Sequence, residues 1–385
     1  MRRYILIVCC CAFAGLLSAQ SAERDTAYMK LDHLFQRLVR EKHLNGVMLA
    51  GDDRGIVYQN VAGYACMAAR TPLTECSQLE VASVSKQFTA VSILMLYQQG
   101  MLSLDDSLQH FFPFFPYHGI TVRQLLCHRS GLPEYFDFGL DYCSDIEPMS
   151  NDELLEILIN CHPVPSFAPD TRFEYCNTGY ALLALVVEKV TGSTFEDYVY
   201  RNIFEPLGME DTRFYTEECR VPSACTIGHR KNRSAYERDA LSGVVGDKGI
   251  MTTATDLYTW FFHISDILAD SLLQMAWTPQ NRDMKACSNY GFGWRLSCDV
   301  HGSPLVYHGG LWNGNHTLMV YRPADHAFLL FLSNCCNGAF QHRSDQVLEI
   351  LKNMHERPIA AKNGEHEMDD AAGAFDQTIE NHSVK

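Results

Sequence analysis

Positive charge is scarce in this chain: 31 lysines and arginines face 46 aspartates and glutamates, for a formal net charge of −15. That balance disfavours nucleic acid or an anionic membrane surface as a partner, since both repel an acidic protein. Metal-binding spacings are missing too. No C-x-x-C pair and no H-E-x-x-H occurs, so a zinc site has little support. No G-x-S-x-G elbow occurs either, which removes the usual signature of a serine activated by histidine on a strand-to-helix turn. No internal repeat is visible. The one long apolar run, from Tyr4 to Leu17, is shorter than the ~20 residues of a membrane span. It follows Met1-Arg2-Arg3 and precedes Ser18-Ala19-Gln20, the zones of a secretory signal peptide. Residues 1–19 are therefore expected to be cleaved from an exported protein, periplasmic or secreted, with no transmembrane segment left afterwards.

Cysteine is not scarce. Of 15 cysteines, Cys9, Cys10 and Cys11 lie in the leader, and the remainder is an even number in a chain expected to leave the reducing cytosol. Some disulfides are plausible on that ground, with Cys66 and Cys76 the nearest spaced candidates around a loop. Against them stands the ordinary fate of free cysteine, which packs in cores as a small apolar residue.

Apolar residues at helical spacing (Leu31, Leu34, Phe35, Leu38) predict a first amphipathic helix over 27–43. Gly46–Ala50 and Ile56–Tyr58 flank Asp52-Asp53-Arg54-Gly55 and read as a β-hairpin. A helix follows through Val84, Phe88, Val91 and Met95 until Gly100. Helices are expected at Asn151–Asn160 and Ala181–Val190. Strand patterns return at Leu305–Tyr307, His316–Tyr321 and Ala327–Leu332, with a closing helix at Asp345–Met354. Strands at both ends and helices between imply an α/β (α+β) domain over 23–356. Its antiparallel sheet would be built from the N- and C-terminal parts and flanked by helices, with a mainly helical subdomain inserted at about 100–235. Residues 357–385 are polar and Ala-rich and are expected to form a flexible tail.

Chemistry enters at Val81-Ala82-Ser83-Val84-Ser85-Lys86. Ser83 and Lys86 stand three apart at a helix start, where side chains at i and i+3 share one face, so hydroxyl and amine can hydrogen-bond; Ser85 cannot do the same. A hydroxyl nucleophile needs a base, and lysine and tyrosine ordinarily titrate near 10; bringing such a group to neutrality takes about 4 kcal/mol, which burial and a neighbouring cation supply. A second proton-trading group is expected at Tyr175 in Tyr175-Cys176-Asn177, on a loop preceding a helix. The same Y-x-N spelling recurs at Tyr58-Gln59-Asn60 and Tyr200-Arg201-Asn202, but there it falls within the presumed hairpin and a helical stretch, where structural roles are expected. The third element is His308-Gly309-Gly310-Leu311 at the end of a late strand, where paired glycines let a substrate lie close along the strand edge and a backbone N–H can meet an oxyanion.

In this order S-x-x-K, Y-x-N and H-x-G resemble the serine β-lactamase and penicillin-binding-protein-like superfamily, in its branch of class C β-lactamases, D-aminopeptidases and esterases. Leu102–Asp106, Thr121–Pro133, Phe204–Met209, Gly249–Leu257 and Tyr290–Trp294 extend the resemblance over about 30–355. It implies Ser83 as nucleophile, Lys86 as its proton partner and Tyr175 as general base and later acid. It further implies that Asn177 holds the substrate's amide, and that the N–H groups of Ser83 and Leu311 form an oxyanion hole, with His308 and Gly310 lining the substrate site. The implied reaction is hydrolysis of an ester or amide in a small-molecule or peptide substrate through a Ser83 acyl-enzyme, without cofactor or metal. A class C-type β-lactamase, a D,D-carboxypeptidase and a non-catalytic binding protein are alternatives on the same fold.

The chain departs from the β-lactamases where their third motif begins with lysine, a permanent cation that helps recognise a carboxylate. His308 is ordinarily mostly neutral at pH 7, which points away from efficient β-lactam hydrolysis and towards the peptidases and esterases. His128, in Cys127-His128-Arg129-Ser130-Gly131, is read as structural. The Phe111–Pro116 cluster is read as packing, and Lys248 as a solvated charge or a substrate contact.

Overall fold

The computed structural model describes residues 23–142, 148–215, 226–237, 240–336 and 338–354. The expected signal peptide at 1–19 and the tail at 357–385 lie outside them. A seven-stranded antiparallel sheet runs through the middle of the chain's two ends. Its strands are β1 (Gly46–Asp52), β2 (Gly55–Ala62), β3 (Ser288–Tyr290), β4 (Arg295–Cys298), β5 (Pro304–Trp312), β6 (Asn315–Arg322) and β7 (Ala327–Ser333). The spatial order is β2-β1-β7-β6-β5-β4-β3, so the first hairpin is clasped onto the last strand by six register pairs from Gly46↔Ser333 to Gly51↔Phe328.

Alternation along each strand divides the core into two layers, because successive side chains leave opposite faces of a sheet. Met48, Ala50, Leu305, Tyr307, Leu329 and Phe331 pack on one side against α1 (23–40) and α6 (Ser344–Lys352), through Leu31, Leu34, Phe35 and Leu38 and through Val347, Leu348 and Leu351. Val47, Leu49, Val306, Trp312, Leu330 and Leu332 face the other side, where α2 (Ser85–Gln98) is buried on nearly every face. The helix lies in the interior with its polar residues Ser85, Lys86, Gln87, Thr89 and Ser92 buried along with its apolar ones. Phe88 of α2, fully buried, stacks on Trp260 of α5 (Ala254–His263) with ring centroids 4.0 Å apart; burial of a side chain that size contributes ~1.5–3 kcal/mol.

Helices α3 (Asn151–Cys161) and α4 (Asn177–Thr191) lie in the central part of the chain, as the spacing predicts. Ser150 and Glu153 form a capping box at the start of α3. Gly192, at φ 71°, supplies the left-handed turn that ends α4.

Three expectations need correction. The late strand does not stop at Tyr307 but continues through His308, Gly309 and Gly310 to Trp312, because β6 pairs with it over that whole stretch. Strands β3 and β4 flank the Tyr290–Trp294 motif and were not expected, being only three and four residues long. Cys66 and Cys76 are both free; among the described residues a disulfide joins Cys287 to Cys298, across the β3–β4 hairpin. Within the phenylalanine cluster, Phe111 and Phe115 are core residues while Phe114 is exposed.

Candidate active site

Ser83 lies in a 3-10 turn, Ala82–Val84, that leads directly into α2. Its neighbour Ala82 has φ 49°, a left-handed conformation that a residue with a side chain adopts at a cost of ~1–3 kcal/mol. The turn is held against β5 where Gly310 has no side chain: a Cβ there would come within 2.2 Å of the Val81 carbonyl oxygen and 3.2 Å of the Ser83 nitrogen. Gly310 thus serves first to let the sheet touch the backbone that carries Ser83. Ser85 is buried, and its hydroxyl accepts a hydrogen bond from the Ile250 N–H.

Lys86, on the first turn of α2, is fully buried. Its amine donates to Ser83 Oγ at 3.1 Å, to Asn177 Oδ1 at 2.8 Å and to the Asp247 carbonyl oxygen at 2.9 Å. Three acceptors around one amine are the full complement of an ammonium group. The Asp247 carbonyl reaches it from a loop that turns at Gly246 (φ 97°), where a Cβ would meet the Tyr180 carbonyl oxygen at 2.6 Å.

Tyr175 precedes α4 on irregular backbone, and its ring lies 5.0 Å from the Lys86 amine and 4.9 Å from the Arg295 guanidinium. His128 packs on the Tyr175 ring at 4.2 Å, and its Nδ1 accepts the Cys176 N–H, so this histidine holds the Y-x-N backbone in place. The buried Tyr175 hydroxyl has no hydrogen-bond partner among the described residues. The other two Y-x-N copies are elsewhere: Tyr58 donates to Asp32 in the α1 layer, and Tyr200 is exposed on a π-helical turn.

His308 is 1 % exposed and committed at both ring nitrogens: Nδ1 donates to the Gly309 carbonyl at 2.7 Å, and Nε2 accepts from the Tyr290 hydroxyl at 3.0 Å. Burial, and then the nearby charges of Arg295 and Lys86, hold its pKa well below the usual histidine range. His128 is held down by burial and the same two cations. Leu311 follows on β5, half-buried. Strand β4 pairs with β5 only from Pro304 to Tyr307, so His308–Trp312 forms an open strand edge, among the described residues, beside the Ser83 turn.

Asn177 is nearly buried and fully engaged. Opposite Lys86, its Nδ2 donates to Glu134 Oε2 at 3.0 Å, and its backbone N–H donates to the same oxygen at 2.6 Å. Glu134 escaped the sequence reading, though its place after Pro133, as N-cap of a short helix Tyr135–Phe138, marks it as a capping carboxylate. The Asp247 carbonyl also escaped, because a main-chain oxygen leaves no trace in residue identity. Lys248 is buried, not solvated; its amine donates to Tyr135 Oη and to the Val244 carbonyl and lies 5.0 Å from the Trp312 ring.

A buried lysine bonded to a serine at a helix start, facing the open edge of an antiparallel sheet, defines the fold and site of the serine β-lactamase and penicillin-binding-protein type. The chain belongs to the beta-lactamase family, whose profile matches residues 31–352, and is a serine hydrolase of that family. Among curated relatives it is 32% identical over 324 residues to penicillin-binding protein 4* of Bacillus subtilis, covering 79% of this chain and 71% of that protein. It is 30% identical to a D-aminopeptidase of Brucella anthropi, covering 70% of this chain but only 52% of the relative, so the chain spans about half that protein's length. The solved structure of D-amino acid amidase from Ochrobactrum anthropi SV3 with L-phenylalanine amide superposes with a TM-score of 0.70 at 25% identity, covering 88% of this chain and all of that one.

Proposed function

We propose that the protein hydrolyses an ester or amide bond through an acyl-enzyme on Ser83. The observation that carries this reading is the 3.1 Å hydrogen bond between the buried Lys86 amine and Ser83 Oγ. Ser83 Oγ attacks the substrate carbonyl carbon while its proton passes to Tyr175 acting in its phenolate form, and Lys86 stabilises Oγ as it loses that proton. The N–H groups of Ser83 and Leu311 receive the oxyanion. Tyr175 returns the proton to the departing amine or alcohol; water then cleaves the acyl-enzyme ester, with Tyr175 taking a proton from the water and passing it to Ser83 Oγ as it leaves. The substrate lies along the open edge at His308–Trp312, to which it adds as an extended segment.

The neutral, doubly bonded His308 offers no cation to a β-lactam carboxylate, which supports a peptidase or esterase over a β-lactamase. The named relatives add weight to D-amino-acid amides or peptides as the amide class. The basic, apolar and small-residue zones of residues 1–19 support export to the periplasm or medium.

The test is covalent labelling. A fluorophosphonate probe adds mass to the wild-type protein on the peptide containing Ser83, and Ser83→Ala abolishes it. Labelling that persists in the variant moves the nucleophile elsewhere. In a panel of nitrocefin, p-nitrophenyl esters and D-alanyl amides, fast nitrocefin turnover would overturn the reading of His308.

A further inference from the structure

We infer that Glu134 is a positioning residue for this site: its carboxylate fixes the Asn177 carboxamide with the oxygen towards Lys86, and thereby sets the lysine amine against Ser83. This rests on the reading of Ser83 as nucleophile. A carboxamide has a donor end and an acceptor end that are nearly the same shape, so only its partners specify its orientation. At Asn177 the partners are unambiguous. Glu134 Oε2 accepts from Nδ2 at 3.0 Å and from the backbone N–H of the same residue at 2.6 Å, while the Lys86 amine donates to Oδ1 at 2.8 Å. Reversing the amide would set an oxygen against a carboxylate and an NH2 against an amine, which leaves both ends unsatisfied in a nearly buried site. Glu134 is itself fixed, because its other oxygen accepts the Phe136 N–H at 3.3 Å. Carboxylate, carboxamide and amine therefore form one directed chain that ends on Ser83 Oγ.

The chain has a protonation switch at its far end. Burial pushes the Glu134 carboxyl up to about 7, with Asp247 raising it further, and the Asn177 and Phe136 N–H groups and Lys86 pulling it down. The charged and titratable groups facing it are Lys86 from α2, Asp247 from the Gly246 loop and the Cys176 thiol beside Asn177. Above that pH the group is an acceptor only and holds the amide one way. Below it the carboxyl carries a donor of its own and no longer dictates which end of Asn177 faces it. Ser83 acylation therefore weakens as the pH falls through about 7.

The experiment measures the second-order rate of Ser83 phosphonylation by a fluorophosphonate, read by mass spectrometry between pH 5.5 and 8.5, for wild type, Glu134→Gln and Glu134→Asp. For one group titrating at about 7, the wild-type rate rises about tenfold from pH 6 to pH 8. Glu134→Gln keeps the shape and two acceptor bonds but not the charge; its rate is about tenfold below wild type at pH 8 and flat across the range. Glu134→Asp restores a rise with pH at part of the wild-type rate. A Glu134→Gln protein that retains both the wild-type rate and its acid limb overturns the inference. If that variant melts well below wild type, Glu134→Asp decides, and an aspartate variant with no acid limb overturns it equally. Wild-type protein that is never labelled at Ser83 removes the nucleophile reading, and this inference with it.

Discussion

Replacing Gly310 by alanine tests the geometry most directly, because one added carbon meets main chain in place of a movable side chain. The new Cβ would lie 2.2 Å from the Val81 carbonyl oxygen, 3.1 Å from the Ala82 Cβ and 3.2 Å from the Ser83 nitrogen. A carbon and a non-bonded neighbour settle at about 3.5 Å, so β5 and the Ala82–Val84 turn must separate by roughly 1 Å. The turn has little freedom to comply, since Ala82 already sits at φ 49°. Overpacking of this kind costs about 1–3 kcal/mol, or about 2–5 °C in melting temperature for a chain of this length. The catalytic loss is larger. A displacement of about 1 Å between reacting groups costs about a hundredfold, and the gap opens between the two backbone segments assigned to the oxyanion. The expected result is a Gly310→Ala protein that is folded by circular dichroism, melts a few degrees low and labels at Ser83 about a hundredfold more slowly. Labelling within threefold of wild type at an unchanged melting temperature would refute the close approach of strand and turn.

Two further outcomes follow from other parts of the molecule. His316 is buried with its pKa pushed down to about 4, so its unfolded form takes up a proton below about 6.5 while the folded form does not. Its contribution is complete above pH 6.5 and is lost as the pH falls towards 4, by up to about 3 kcal/mol; melting temperatures of His316→Gln should fall less steeply than wild type over that window, and parallel curves would contradict this. Peptide mapping without reduction should recover Cys287 linked to Cys298, with Cys76 alkylated in the native protein and the buried Cys66 alkylated only after unfolding; a Cys66–Cys76 peptide would reverse the assignment.

Local pattern and spacing made much of this protein legible. The hairpin at β1 and β2, the helix after Ser83, α3, the body of α4 and strands β6 and β7 all announce themselves through local apolar spacing or short apolar and β-branched runs, although α2, β1, β6 and β7 are buried on nearly every side. The i, i+3 spacing placed the Ser83 hydroxyl within reach of the Lys86 amine, which the helical turn then delivered. Context, too, singled out Tyr175 over Tyr58 and Tyr200, because a residue before a helix on irregular backbone is free to project into a cleft.

Other features belong to no local pattern. Strands β3 and β4 are too short to carry a period, and β5 appeared to end at Tyr307 because the glycines that follow lack strand propensity; pairing with β6 overrides that weakness. Cys66 and Cys76 are near in sequence, yet the fold brings Cys287 and Cys298 together by closing the β3–β4 hairpin.

The amino-acid sequence alone determined the longer helices and strands and the reach of the Ser83 hydroxyl to the Lys86 amine, because helix, strand and i, i+3 contacts depend on residues a few positions apart. Only the tertiary structure decided that Lys86 is shared between Ser83, Asn177 and the Asp247 carbonyl, and that His308 is neutral and fully bonded. The Asn177 and Asp247 contacts of Lys86 arise where segments more than 90 residues apart in the chain meet in a dry interior. There burial and neighbouring charge set the state of each group.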